Sequence, residues 1–172
     1  MSTLDSAPDR LPNAAAAGPG IVVHSEGMAA AHPEDVRLFT DEEIGFLLGH
    51  RVGRLATAGR SGKPHVVPVL YRFDAGRNSF GIGARELPGR GQDRLYLRHV
   101  AVNDQVAFVV DDFVSEPSWK PCGVTVKGVA TVHAEGGELL GFGPRWLEIV
   151  PGWVSSWGVG TDPFRPAVPR KA

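Results

Sequence analysis

The segment 51–72, RVGRLATAGRSGKPHVVPVLYR, constrains the fold of this chain most, because two apolar runs flank a turn. The first run, Val52–Ala58, is rich in small and β-branched residues and predicts a strand. The residues GRSGK at 59–63 have turn chemistry, with glycines where φ is expected to be positive. The second run, His65–Tyr71, is almost wholly apolar and predicts the partner strand.

Two prolines limit where that second strand can lie. Pro64 and Pro68 have no N–H to donate to a sheet ladder, so the strand is expected at an edge, a bulge or an opening of the sheet. An otherwise closed sheet that is open along one strand has free backbone groups to offer a flat polar ligand. The prolines are therefore a first indication of a small-molecule site beside Pro68.

The rest of the chain predicts short strands, turns and only two helices. Thr40-Asp41-Glu42-Glu43 has the pattern of a capping box, which predicts a helix to about His50, and a second helix is expected near 93–102. Further strands are predicted at 79–83, 104–111, 122–134, 146–150 and 153–157. The 22 glycines and 14 prolines suit many short strands, so we predict a mainly β fold with six or seven strands in a small antiparallel barrel.

The distribution of small residues and prolines predicts the domain limits. Residues 1–36, with AAAAGPG at their centre, are expected to be a flexible tail, although Ile21–His24 could add a short strand. Residues 37–160 are expected to form the barrel domain, and residues 161–172 a C-terminal tail.

Charge and composition argue against several classes of partner. A net charge of −1, without any basic cluster, argues against nucleic acid. No apolar stretch reaches the roughly 18 residues that span a bilayer. Cys122 is the single cysteine and the six histidines share no ligand spacing, so we expect no metal site. A cytoplasmic location is the expectation for such a chain.

Common catalytic signatures are missing from the sequence. Gly81-Ile82-Gly83 is followed by Ala84, Arg85 and Glu86, so GxGxxG is incomplete, and there is no P-loop, GxSxG or HExxH motif. Asp111 and Asp112 are adjacent in a predicted strand, point to opposite faces and are expected to end that strand in solvent. No catalytic residue is identified; an enzyme without an obvious acid, base or nucleophile can still work where a cofactor supplies the chemistry.

Three motifs, GRLAT, PHVVPV and GVTVKGVATV, follow one another in an order that resembles a known superfamily. The chain is similar from Phe39 to Trp157 to the flavin-binding split-barrel proteins related to pyridoxamine-phosphate oxidase. Within that superfamily it looks most like the actinobacterial branch that uses the deazaflavin coenzyme F420 and includes tetracycline-tailoring reductases. The resemblance implies an FMN-binding split barrel, a homodimer, and a flavin or deazaflavin in the groove between subunits.

The resemblance also implies positions for the cofactor. The family arginine that approaches the phosphate falls at Arg54, Val66–Val69 match the strand along the flavin ring, and Trp157 of the partner is expected to close the site. The family triplet Ser-Arg-Lys falls on Arg94, Leu95 and Tyr96, so two cations are lost and one is gained. This change is expected to weaken cofactor affinity unless Arg98, one helical turn beyond Arg94 on the same face, compensates. The predicted cofactor-binding residues are Arg54, Thr57, Pro68, Val69, Ile82, Gly83, Arg94, Tyr96, Arg98 and Trp157.

Two functions follow from these observations. In the first, the protein is an oxidoreductase that passes a hydride between F420, or alternatively FMN or FAD, and a planar hydrophobic small molecule of secondary metabolism. In the second, the groove holds no cofactor and binds a small molecule, or catalyses its cyclisation or isomerisation; the lost Arg-Lys pair favours this function.

Arg54 also has a structural interpretation, as the ion-pair partner of Asp93 or another acid. In a later strand, the basic or amide residue that the family often places near the ring is replaced by Cys122 and Gly123.

Overall fold

The computed structural model describes residues 37–84, 94–114 and 119–172. The predicted N-terminal tail, the loop 86–92 and Asp93 lie outside the described residues. The elements, in chain order, are α1 (Asp41–Gly49), β1 (Val52–Ala58), β2 (Pro64–Asp74), β3 (Ser79–Gly83), α2 (Leu95–Val100), β4 (Gln105–Val114), β5 (Lys120–His133), a 3-10 turn (Gly137–Leu140), β6 (Trp146–Trp157) and β7 (Arg170–Lys171). No helix within the described ranges is long and apolar enough to cross a membrane.

The strands form one antiparallel sheet that closes on itself. Their order is β3-β2-β1-β4-β5-β6-β7, and β3 also pairs with β6, which completes the ring. Because alternate residues of every strand face the interior, the ring encloses an apolar core. The prediction of a mainly β, six- to seven-stranded antiparallel split barrel is confirmed.

Aromatic side chains fill the centre of the barrel. Tyr71, Phe80 and Phe108 are fully buried and lie with ring centroids 5.2 to 5.8 Å apart. The Tyr71 hydroxyl donates to the carbonyl oxygen of Leu47 at 2.7 Å, which ties α1 to the core. Burial raises the pKa of Tyr71 far above its ordinary value, so this hydroxyl stays protonated.

The capping box predicted at the start of α1 is present. The Thr40 hydroxyl accepts from the backbone N–H of Glu43 at 3.3 Å, and the Glu43 carboxylate accepts from the backbone N–H of Thr40 at 2.9 Å. The second helix, α2, is shorter than the range 93–102 that the sequence predicts.

Two predicted strand limits differ from the structure. The candidates 146–150 and 153–157 form one continuous strand, β6, because a bulge accommodates the extra residue Gly152 between the pairs Gly128–Pro151 and Lys127–Trp153. Asp111 and Asp112 do not end their strand, since β4 continues to Val114. Arg54 pairs with Asp111 and His50 pairs with Asp112, so both carboxylates have partners and the strand can continue past them.

Residues 161–172 are more than a tail. They include β7, which pairs with Trp153 and Val154 of β6. The Arg170 guanidinium contacts both carboxylate oxygens of Glu43, at 2.6 and 2.5 Å, and also donates to the carbonyl oxygen of Leu38. This ion pair joins the end of the chain to α1.

Candidate functional site

The barrel is open between β2 and β3. These strands pair only from Tyr71–Ile82 to Asp74–Ser79, so the preceding half of β2, which contains Pro68, has no partner in β3. On its other edge the same half of β2 pairs fully with β1. The opening lies where the two prolines predict it, because Pro68 cannot donate a hydrogen bond across the gap.

A cavity of about 570 Å³ lies at this opening. That volume is within the range of sites that hold one small organic ligand. Its lining combines three residues of β2, the end of β3, the start of α2 and a loop before β6. The lining residues are Pro68, Val69, Leu70, Gly83, Arg94, Tyr96, Gly141, Phe142 and Gly143.

Tyr96 joins α2 to the end of β3 inside this cavity. Its hydroxyl donates to the carbonyl oxygen of Gly83 at 3.3 Å. Burial raises the pKa of Tyr96, and the nearby positive charges of Arg94 and Arg145 only partly offset that shift. The hydroxyl therefore remains a neutral donor in a positively charged setting.

The loop before β6 forms the remaining wall of the cavity. Phe142 packs on Gly83, where a Cβ atom would lie 2.8 Å from Cδ1 of the phenyl ring. The Arg72 guanidinium lies 6.0 Å from the centroid of the same ring. The Phe142 ring thus occupies the space that a side chain at position 83 would need, and glycine leaves that space free.

Half of the predicted site residues line one cavity. Pro68, Val69 and Gly83 from the strands meet Arg94 and Tyr96 from α2 there.

Three other predicted residues are not part of this lining. The Ile82 side chain is buried in the barrel core. Thr57 is also buried, and its hydroxyl is hydrogen-bonded to Nδ1 of His99 at 3.0 Å. Arg98 is exposed on α2.

Arg54 and Trp157 lie on the outer face of the sheet of their own chain. That Trp157 of the partner closes the site stays a prediction. Arg54 forms an ion pair with Asp111, so the structural interpretation holds, with a different acid from Asp93. The Trp157 ring occupies the space beside Gly123, where a Cβ atom would lie 2.5 Å from it. Gly123 therefore accommodates an aromatic ring, which explains why no basic or amide side chain stands there.

Sequence reasoning missed Phe142 and Arg145. Both belong to a connection between strands, and neither lies in one of the three motifs. The signal that could have identified them is the run GGELLGFGPR at 136–145, whose glycines indicate a compact loop with close backbone contacts.

A second cavity, of about 630 Å³, lies near the start of β5 and the end of β6, and Lys120, Cys122 and Asp162 are among the residues that line it. It contains the Cys122 thiol, whose pKa is raised by burial and by the nearby Asp112. A thiol with a raised pKa is a poor nucleophile at neutral pH. Within the described ranges, no three His, Cys, Asp or Glu side chains are grouped so that they could hold a metal ion.

Comparisons with known proteins agree with this architecture. The family model of pyridoxamine 5'-phosphate oxidase matches residues 39–162. A 5a,11a-dehydrotetracycline/5a,11a-dehydrooxytetracycline reductase from Streptomyces rimosus subsp. rimosus is 36% identical over 126 residues, which cover 72% of this chain and 86% of the reductase.

Two solved structures show the same fold at low identity. A general stress protein 26-related protein of the pyridoxinephosphate oxidase family from Clostridium acetobutylicum has a TM-score of 0.52 at 14% identity, covering 76% of this chain and 92% of its own. A heme binding protein from Mycobacterium smegmatis has a TM-score of 0.53 at 17% identity, covering 77% and 58% respectively. At these identities the comparison concerns the fold alone.

Proposed function

This chain belongs to the pyridoxamine 5'-phosphate oxidase family, and we propose that it is a reductase that modifies a planar, tetracycline-type small molecule with a flavin-type cofactor. The observation that supports this most is the cavity at the open edge of β2, where five of the predicted cofactor residues meet. The 36% identity to a dehydrotetracycline reductase supports the substrate class. We further propose a cytoplasmic reaction, since Cys122 is a free thiol.

The lining of the cavity fits a flavin-type group. Pro68 and Leu70 offer apolar surface, Gly83 leaves space for close approach, and Arg94 brings a cation suited to phosphate. Coenzyme F420, when bound, supplies the hydride; FMN and FAD are the alternatives. These residues would hold and orient the ring and exclude water from it.

The protein's own part in the reduction is to stabilise the charge that develops on the substrate. Reduction of a dehydrotetracycline requires a proton as well as a hydride. Tyr96 keeps a neutral hydroxyl at the cavity because burial raises its pKa, so it can donate a hydrogen bond to a substrate oxygen on which negative charge develops, while solvent supplies the proton. Arg94 is the N-cap residue of α2 and Tyr96 is the second residue of that helix, so the cation and the hydroxyl both come from its start.

The cofactor-free function is the second candidate, and the altered triplet favours it. Of its three positions only Arg94 carries a charge; Leu95 is apolar and Tyr96 is buried. In that case the same cavity would bind the planar molecule alone and promote its cyclisation or isomerisation.

Arg94→Ala is expected to weaken F420 binding about tenfold to a hundredfold, because a charge-assisted contact to phosphate contributes about 1.5–3 kcal/mol. Titration followed by fluorescence quenching measures the dissociation constant. Arg165→Ala is the control, since Arg165 is exposed and has only a 3.9 Å contact with Asp162. If the parent protein binds neither F420, FMN nor FAD, the cofactor-free function replaces the reductase.

We also propose that the partner of this chain is a second copy of itself. Val52, Val66 and Leu70 are 48%, 61% and 62% exposed, and β1–β2 pairing places them on one outer face of the sheet. Leu70 also lines the cavity, so the apolar patch formed by these three residues continues into the proposed site. Such a surface suits a twofold interface.

Leu70→Arg is expected to convert the proposed dimer to a monomer, because it places a charge on the exposed apolar patch. Light scattering at micromolar concentration measures the mass. Leu139→Arg is the matched control, since Leu139 is 91% exposed in the loop before β6 and outside the patch. A parent protein that is monomeric at this concentration contradicts the proposal.

A further inference from the structure

The loop formed by residues 136–144, between β5 and β6, is built as a rigid support. The backbone N–H of Gly137 donates to the carbonyl oxygen of Pro144 at 3.0 Å, and that of Phe142 donates to Gly137 at 2.9 Å. Gly136 and Gly141 have φ values of 93° and 77°, which side chains rarely permit. The conformation of the loop is thus specified by its own backbone.

The base of this loop is also held in place. A Cβ atom on Gly137 would overlap the carbonyl oxygen of Gly143, so the two ends of the loop approach as closely as a backbone allows. The indole Nε1 of Trp146 donates to the carbonyl oxygen of Glu135 at 2.9 Å. These contacts need no ligand, so the loop is preorganised.

This support presents Phe142 to the cavity. The ring is half-buried, rests on Gly83 and has the Arg72 guanidinium 6.0 Å from its centroid. Its position is therefore determined by neighbours from β2 and β3. Leu139 in the same loop is 91% exposed and does not line the cavity.

Two rings of fixed shape line the cavity, that of Phe142 on the β3 side of the opening and that of Pro68 on the β2 side. Phe142 stands over the end of β3, while Pro68 and Leu70 belong to the free edge of β2. An aromatic ring and a proline ring keep their shape when a ligand binds and offer a large contact area at little entropic cost. A slot of this kind favours a planar fused ring over a flexible chain.

We infer that Phe142 is a specificity-determining residue that contacts the planar fused ring of the ligand and sets the width of the slot. The inference rests on the proposed function. A flavin-type cofactor and a tetracycline-type substrate share this ring chemistry, so two binding arms are needed to tell which of them Phe142 contacts.

The test compares Phe142→Ala with Leu139→Ala as a matched control in the same loop. One arm titrates each purified protein with F420 without substrate; the other measures KM and kcat with 5a,11a-dehydrotetracycline. Phe142→Ala is expected to raise the dissociation constant in the first arm, or KM in the second, by about tenfold, as for a truncated aromatic contact. Phe142→Trp, which retains an aromatic ring, is expected to recover most of that loss.

Thermal unfolding is the control that shows whether each variant is folded. Direct binding of dehydrotetracycline, measured without turnover, distinguishes a failure of this inference from a failure of the proposed function. If the parent protein binds the tetracyclic molecule but reduces nothing, and Phe142→Ala weakens that binding, the inference stands and the reductase function falls. The inference is overturned if neither arm changes, if Leu139→Ala has the same effect, or if the parent protein binds neither probe.

Discussion

Glu43→Ala is expected to lower the free energy of unfolding by about 3 kcal/mol, the lower end of the range for removing one partner from a buried ion pair, because the remaining Arg170 side chain is 30% exposed. The Glu43 side chain is 1% exposed and accepts from Arg170, from the Ser156 hydroxyl at 2.5 Å and from the backbone N–H of Thr40. Truncation leaves the Arg170 guanidinium without its carboxylate and opens the contact between α1, β6 and β7. Urea unfolding followed by circular dichroism measures the loss.

Asp41→Ala is the matched control for this experiment. Asp41 lies in the same first turn of α1, so both carboxylates interact favourably with the helix N-terminus. The Asp41 side chain is 82% exposed and pairs only with the exposed Arg37, a kind of contact that contributes about 0–1 kcal/mol. A loss as large for Asp41→Ala as for Glu43→Ala would contradict the role of the buried pair.

The Glu43 contacts also make the stability depend on pH. Burial raises the pKa of Glu43, but hydrogen bonds from Arg170 and Ser156 outweigh it, so the pKa lies below the ordinary value of 4.5. A carboxylate whose pKa is lowered by folding contributes stability that is fully present above its ordinary pKa and is lost as the pH falls through the folded value. Glu43→Gln is therefore expected to remove this acid-sensitive part of the stability.

Local patterns in the sequence explain why the barrel was predictable. The capping box at Thr40 and the motifs around Arg54 and Pro68 each specify their element by short-range chemistry. Pro68 also specified the open edge, because a missing N–H has the same effect in any sheet. These signals lie within one strand or one helical turn, where single-sequence reasoning is strongest.

The residues that sequence reasoning missed depend on contacts between distant segments. Arg170 is 127 residues from Glu43, and no local pattern links a C-terminal arginine to a capping glutamate. Phe142 meets Gly83 only after β3 and β6 pair. Each contact results from closing the barrel, and so the sequence could suggest neither.

Gly123 shows how a departure from a family pattern can have a structural cause. The family often places a basic or amide residue near the ring at this point of the chain, and this sequence has Cys122 and Gly123 there instead. In the fold, Trp157 of β6 pairs with Gly123 and fills the space of its side chain. The glycine is needed by the aromatic ring beside it and is not evidence of a lost cofactor.

Gly128→Ala is expected to lower the free energy of unfolding by about 3 kcal/mol, at the upper end of the range for overpacking. Gly128 of β5 lies beside the bulge of β6, where a Cβ atom would overlap the carbonyl oxygen of Val150 and lie 2.9 Å from Cα of Pro151. Both neighbours are backbone atoms of β6, so relief requires the two strands to separate. Chemical denaturation of the parent and variant proteins measures the difference.

Gly45→Ala makes the same chemical change as Gly128→Ala but is expected to raise the free energy of unfolding. Gly45 is exposed within α1 and a Cβ atom there would have nothing within 4 Å, so alanine is expected to stabilise the protein by about 0.5–1 kcal/mol through helix propensity. The two variants differ only in whether backbone occupies the space of the added methyl group. If Gly128→Ala is as stable as the parent, β5 and β6 can adjust at the bulge, and the close approach of Val150 is not a constraint on the barrel.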